Sequence, residues 1–205
     1  MVLNGGHSGK DIDKNRGNPI IALGNILAEL NTDKDLFLNF IDGGSWVTAI
    51  PRKAECIITT NPLDIESLSV YLQELENHLQ TQYNNPNISI KLSQVPTTNI
   101  GFDSEITSNI IKYISKFPNG PILTRKGSNE SILSTNLGTI FFDKDILLLE
   151  NSIRSNLSPE LTQQFISRLQ KVESQSNLNA IETFNFPRIF SKKRFRIYKI
   201  PCSEI

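Results

Sequence analysis

The stretch that decides the fold is ILSTNLGTIFFDKDILLLENSI, residues 132–153. It contains two apolar runs, residues 132–142 and 146–153, and a polar Asp-Lys-Asp link at positions 143–145 joins them. Two long apolar runs on either side of a short polar link are typical of an antiparallel hairpin. The sequence therefore predicts two paired strands in this part of the chain.

Helices are predicted on both sides of this hairpin. Before it, apolar residues recur at helical spacing around residues 106–117. After it, Ser158 is a typical capping residue and Pro159 fits the first helical turn, so a helix is predicted from there to about residue 172. A further strand is predicted near residues 178–184.

The first hundred residues show a similar alternation of patterns. Amphipathic helices are predicted over residues 15–30 and 65–83, where apolar residues recur every three or four positions. Strands are predicted over residues 36–41 and 54–60, and over residues 88–92, where apolar and polar residues alternate. With a strand before the first helix, the order strand, helix, strand, strand, helix, strand is that of one ferredoxin-like unit.

The whole pattern predicts an α+β fold of two ferredoxin-like units of βαββαβ type, with helices packed on antiparallel sheet. The second unit lacks an obvious first strand. We expect the first half over residues 1–100 and the second half over residues 101–186. Residues 187–205 are predicted to be a divergent basic tail, because cationic residues crowd there and Glu204 is the only acid.

The overall charge argues against nucleic acid and anionic membranes as partners. Lys plus Arg total 21 and Asp plus Glu total 21, so the net charge is zero. Cys56 and Cys202 lie far apart in no CxxC spacing, which favours a reducing compartment and leaves a single disulfide as the alternative. The sequence shows no secretory leader and no run of about 20 apolar residues. We therefore expect a soluble, cytoplasmic protein.

The sequence offers only a few candidates for catalytic or ligand-binding residues. His7 lies in GGHSG, where glycines keep bulk away from the imidazole, so it either meets a ligand or bonds the nearby backbone. Arg154 ends a predicted strand and offers a planar fork that matches a carboxylate, with surface solvation as the alternative. Asn136 is a poor strand residue, which favours a turn, a buried hydrogen bond or a ligand contact.

No complete catalytic motif is visible in the sequence. A catalytic zinc site needs about three protein ligands, yet the only histidines are His7 and His78, and no HExxH, HxD or CxxC spacing occurs. No GxSxG elbow, phosphate-binding loop or dinucleotide fingerprint occurs either. His78 lies in a polar stretch of a predicted helix and is expected to face solvent.

Six short strings, read together, resemble the lid of aminoacyl-histidine dipeptidases. In chain order they are GGHSGKDI (5–12), RGN (16–18), GG followed by AIPRKAE (49–55), PNG (118–120), STNLG (134–138) and SIRS (152–155). Each string is weak alone, and the shared order from residue 5 to about residue 186 gives the resemblance its weight. Thr48 departs from the family, which normally has asparagine before AIP, and the tail after residue 186 does not resemble the family's catalytic domain.

The resemblance implies a zinc-dependent dipeptidase that hydrolyses Xaa-His or related dipeptides. In that family a catalytic domain binds two zinc ions, while an inserted lid closes on the substrate and builds the dimer. By position, His7 matches the lid histidine that stabilises the oxyanion, Asn136 the lid asparagine near the substrate, and Arg154 the arginine that holds the terminal carboxylate. The matching strings cover only the lid.

These matches imply a chain that serves an enzyme without its metal ligands or general base. We expect the isolated chain to be inactive and to hold no stoichiometric zinc, as in a truncated reading frame or an excised lid. Its implied partners are a dipeptide substrate and either a second copy or a companion catalytic domain. Two alternatives stay open, a non-catalytic dimerisation module and a sensor of free amino acids.

Overall fold

The computed structural model describes residues 1–31, 36–60, 65–96, 100–143, 146–177, 180–186, 190–196 and 200–201. In chain order the elements are β1 (Gly6–His7), α1 (Pro19–Leu30), β2 (Leu36–Gly43), β3 (Ala49–Ile50), β4 (Ala54–Thr60), α2 (Ile65–Gln82), β5 (Ile100–Gly101), α3 (Ser104–Lys116), β6 (Gly120–Thr124), β7 (Ser131–Asp143), β8 (Ile146–Ser155), α4 (Pro159–Gln175), β9 (Ala180–Phe186), β10 (Phe190–Arg196) and β11 (Ile200–Pro201).

Among the described strands, seven form one sheet in the order β4-β2-β7-β8-β10-β9, with β6 also paired to β7. Every pair in this sheet is antiparallel. The pair predicted from residues 132–153 is confirmed, because β7 and β8 pair from Asp143 opposite Ile146 to Leu133 opposite Ser155. The register shifts between Leu137 and Thr139, so β7 carries an irregularity at Gly138.

The main hydrophobic core joins α1, α3 and α4 to β2, β7 and β8. Its fully buried members include Ile20, Leu38, Ile114, Leu137 and Leu149. A smaller cluster of Leu3, Leu79 and Ile88 holds α2. These apolar residues recur at helical or alternating spacing in the sequence, and this periodicity is why the corresponding segments form helices and strands.

Helix caps agree with the local sequence. Asn18 accepts hydrogen bonds from the N–H groups of Ile20 and Ile21 at the start of α1. Ser158 caps α4, and Pro159 occupies its first turn, as the sequence predicts. The predicted α+β class with antiparallel sheet is confirmed.

The strand predicted over residues 88–92 is wrong. This segment keeps a single bridge, between Val2 and Ser89. Side chains of α2 bond its backbone instead, because Gln80 Nε2 donates to Ile88 O at 2.9 Å and Glu76 Oε2 accepts from Ile90 N at 2.6 Å. Together with the bonds between Ser89 and Val2, they occupy backbone polar groups of residues 88–90 without a continuous partner strand.

Residues 190–196 of the predicted tail form β10, which lies between β8 and β9. The division of the chain at residues 100 and 186 stays a prediction. Cys202 lies outside the described residues. Within the described part of the chain, none of the helices combines the length and hydrophobicity that crossing a bilayer requires.

Candidate functional site

The GGHSG loop is held against β3. Within the two-stranded ladder of β1 and β3, Gly6 lies opposite Ile50 and His7 opposite Ala49. Ser8 extends this contact, since its N–H and its Oγ both donate to Thr48 O, at 3.0 and 2.8 Å. The loop that carries His7 is therefore anchored to residues 48–50 through main-chain bonds and the Ser8 hydroxyl.

His7 itself is exposed, and one of its two ring nitrogens is occupied. Gly9 N donates to His7 Nδ1 at 2.9 Å. Because Nδ1 accepts a hydrogen bond, the neutral imidazole carries its proton on Nε2. The side chain therefore offers an N–H donor at the ring atom that points away from the loop backbone.

Asp11 forms hydrogen bonds with the main chain of His7. Its Oδ2 accepts from His7 N at 2.8 Å, and its own N donates to His7 O at 2.9 Å. Its Oδ1 accepts from Lys14 Nζ at 2.9 Å and from Arg16 Nη2 at 3.4 Å. The His7 N–H, and after it the Lys14 ammonium, lower the pKa of the Asp11 carboxyl to about 2.

Arg154 packs directly against the same loop. A Cβ at Gly9 would lie 2.7 Å from Arg154 Cζ, so a larger residue at this position would displace the guanidinium. The Nε of Arg154 is buried without a hydrogen-bond partner, and burial lowers the pKa of the guanidinium. No ion pair in the described part of the chain includes Arg154. The side chain is thus a partly buried cation beside the His7 loop, with no counter-charge among the described residues.

Asn136 lies beneath the β3 segment and is almost fully buried, with 1% of its surface exposed. Its Nδ2 donates to Ala49 O at 2.8 Å and to Val47 O at 3.4 Å. Ala49 is the residue that pairs with His7 in the ladder. Asn136 therefore supports the strand against which the histidine loop is built.

Ser8 links the histidine loop to β8. Its Oγ accepts from Ser152 Oγ at 3.5 Å, and Ser152 lies opposite Asn136 in the β7 and β8 register. The structure thus brings the predicted residues His7, Asn136 and Arg154 around one loop, although they are far apart in the sequence. Their roles toward a substrate stay predictions.

Two asparagines of the site were missed as functional candidates, Asn18 and Asn119. Asn18 Nδ2 donates to Leu137 O at 2.9 Å and to Asn119 Oδ1 at 3.0 Å. Asn119 Oδ1 also accepts from Leu137 N at 2.9 Å. Both residues lie in strings that carry the family resemblance, RGN and PNG, but no pattern in the neighbouring sequence indicates that their side chains bond β7. Together these amides fix β7 next to Asn136.

Gly138 allows the loop before β3 to reach β7. A Cβ at Gly138 would lie 2.5 Å from Val47 O and 2.6 Å from Val47 Cα. Only a residue without a side chain permits this contact between two backbones. The STNLG string therefore supplies both the amide that holds β3 and the space that the loop needs.

A cleft of about 570 Å³ lies among α1, α2 and residues 117–121, and Asn18 and Asn119 form part of its lining. His78 and Tyr71 line it, and neither His7 nor Arg154 does. The cleft is therefore lined by none of the three site residues predicted from the sequence, His7, Asn136 and Arg154. Across the described residues, no three His, Cys, Asp or Glu side chains converge in a way that could hold a metal ion.

Two comparisons with known proteins find similarity to peptidases. Residues 3–87 match the family model of the peptidase dimerisation domain. The chain is similar to the crystal structure of aminoacylhistidine dipeptidase from Vibrio alginolyticus, with a TM-score of 0.77 and 25% sequence identity. That match covers 96% of this chain and 39% of the dipeptidase, so the chain spans about two fifths of the enzyme's length. No curated protein sequence matches the chain.

Proposed function

Because residues 3–87 match the family model of the peptidase dimerisation domain, we propose that the chain is the lid and dimerisation part of a zinc-dependent dipeptidase. The substrate class is Xaa-His or related dipeptides. In this function the chain binds the substrate and stabilises the transition state, while a catalytic domain outside residues 1–205 holds the metals and the general base.

The observation that carries the proposal is Arg154 beside the His7 loop. A dipeptide always presents a terminal carboxylate, and a guanidinium fork binds a carboxylate through two parallel hydrogen bonds. The Nε of Arg154 is buried without a partner, and the side chain forms no ion pair with the described residues. A substrate carboxylate would supply the missing counter-charge.

His7 contributes the second interaction in the proposal. Its Nδ1 is occupied by Gly9 N, so the neutral ring directs the Nε2–H outward. A donor fixed in this way can bond the oxygen of the scissile carbonyl as negative charge develops on it. Asn136 belongs to the substrate site through the Val47 and Ala49 carbonyls that it holds.

The described residues do not fit a zinc pair, because no three potential ligands converge among them. We therefore predict that the isolated chain binds no stoichiometric zinc and hydrolyses no dipeptide. Metal analysis after dialysis against zinc tests the first statement, and two ions per chain would overturn it.

Reconstitution tests the main proposal. Hydrolysis of β-alanyl-histidine and Gly-His would be measured with added zinc for this chain, for a separately expressed dipeptidase catalytic domain, and for the mixture. We expect activity in the mixture above that of either part. The His7→Ala variant should lower kcat by about 10²–10³-fold, the loss typical of one oxyanion donor.

His78→Ala is the matched control, because His78 lies in α2 and lines a cleft that neither His7 nor Arg154 lines. It should leave kcat unchanged. Arg154→Gln should raise KM for free dipeptides while leaving KM for their C-terminal amides unaltered. If both substrate forms respond equally to Arg154→Gln, the carboxylate assignment is wrong.

A second candidate function is association without catalysis. The match to a dimerisation domain favours it independently of any site residue. The mass in solution tests it, since one chain has a mass of 23.1 kDa. A stable dimer that never activates a catalytic domain would favour this function over the first.

A further inference from the structure

Asp11 makes two bonds to a single residue of the histidine loop. Its carboxylate accepts from His7 N at 2.8 Å, and its backbone N donates to His7 O at 2.9 Å. Both main-chain polar groups of His7 are therefore fixed by one residue four positions later. Such a closed turn leaves His7 little freedom in its backbone dihedral angles.

The carboxylate is fixed on its other side by two cations. Lys14 Nζ and Arg16 Nη2 donate to Oδ1, at 2.9 and 3.4 Å, and Arg16 Nη1 also donates to Gly5 O at 3.4 Å. Arg16 thus ties Asp11 to the start of the loop. Only 18% of the Asp11 side chain is exposed.

The backbone that Asp11 fixes also sets the imidazole. Gly9 N reaches His7 Nδ1 at 2.9 Å because residues 7–11 form this turn. We propose that Asp11 is a positioning residue, which keeps the His7 ring in the Nε2–H form and in one orientation by closing the turn around it. Any effect of Asp11 on catalysis rests on the proposed function. The effect of Asp11 on the geometry of the His7 ring does not depend on that function.

The first test uses NMR on the full chain alone. The measurements are the long-range ¹⁵N shifts of the His7 ring at a pH where it is neutral and the hydrogen exchange of the Gly9 amide. In the wild type we expect Nδ1 unprotonated and the Gly9 amide protected. In Asp11→Ala the ring shifts should move towards those of a free imidazole, and Gly9 exchange should accelerate at least about tenfold as the bond opens.

Two further variants make the result decisive. Asp13→Ala removes an exposed acid from the same loop and should leave ring shifts and exchange unchanged. Asp11→Asn keeps an acceptor oxygen but removes the charge, so its Gly9 exchange should lie between wild type and Asp11→Ala. Unchanged shifts and exchange in both Asp11 variants would overturn the proposal. If Asp11→Ala does not fold, Asp11→Asn alone decides it, and wild-type values there refute it.

Reconstituted hydrolysis then separates this inference from the proposed function. If His7→Ala lowers kcat, Asp11→Ala should lower kcat about tenfold or more with little change in KM. The reason is that a misplaced donor reduces stabilisation of the transition state and leaves substrate binding unchanged. If His7→Ala has no effect on hydrolysis, the proposed function fails while the NMR result still tests Asp11.

Discussion

Replacement of Asn18 tests whether the site is held together by amide bonds. The Oδ1 of Asn18 caps α1 through Ile20 N at 3.0 Å, and its Nδ2 donates to Leu137 O and Asn119 Oδ1. Only 5% of the residue is exposed, so water cannot replace these bonds without rearrangement. Asn18→Ala removes both functions, whereas Asn18→Ser keeps a capping oxygen and removes the amide donor.

The expected loss follows from these contacts. An N-cap side chain contributes about 1 kcal/mol to the free energy of unfolding. A buried carbonyl left without its donor costs about 1–3 kcal/mol, and here that carbonyl is Leu137 O. Asn119 Oδ1 keeps its bond from Leu137 N, so it adds little. We expect losses of about 2–4 kcal/mol for Asn18→Ala and about 1–3 kcal/mol for Asn18→Ser.

Urea unfolding followed by far-ultraviolet circular dichroism measures these differences. Asn25→Ala is the matched control, because Asn25 is an exposed residue of the same helix. It should leave stability unchanged or raise it by up to about 0.7 kcal/mol through helix propensity. A Ser variant as stable as wild type would refute the contribution of the amide donor, and equal losses for Ser and Ala would refute that of the cap.

Three further predictions concern the same region. Gly138→Ala should lower the free energy of unfolding by about 1–3 kcal/mol, because the new methyl group overlaps the Val47 backbone, and an unchanged urea midpoint would show that the loop simply moves away. The pKa of Asp11 is lowered from 3.8 to about 2, so its stabilisation should be complete above about pH 4 and lost as the pH falls to about 2. Protection of the His7 amide measured over that range should show the loss, and Asp11→Asn should remove most of the pH dependence. Arg154→Met should leave the free energy of unfolding unchanged or raise it by up to about 1 kcal/mol, because the buried Nε has no partner to lose, and a clear drop in thermal stability would contradict this.

The sequence predicted the elements that depend on local pattern. The β7 and β8 pair, the α4 cap at Ser158 and the helix over residues 65–82 follow from periodicity and capping chemistry within a short window. Asn136 was expected to form a turn, a buried bond or a ligand contact, and its amide does form buried bonds to Val47 and Ala49.

Other features could not be read from short windows. The alternating pattern of residues 88–92 predicts a strand, but side chains of α2 take its backbone bonds. No sequence pattern predicted β6, whose residues after Gly120 are all exposed and so lack the alternation of a half-buried strand.

What the sequence by itself determined is the α+β class, the antiparallel pairing of β7 with β8 and the identity of the residues that could act. What only the tertiary structure decided is their arrangement, because the bonds that form the site join residues far apart in the chain. Asn18 and Leu137, for example, are 119 positions apart. The His7 Nε2, which is not bonded by any of the described residues, and the buried Arg154 Nε, which has no partner among them, are likewise products of packing. A side chain's remaining hydrogen-bond capacity is known only once its neighbours are in place.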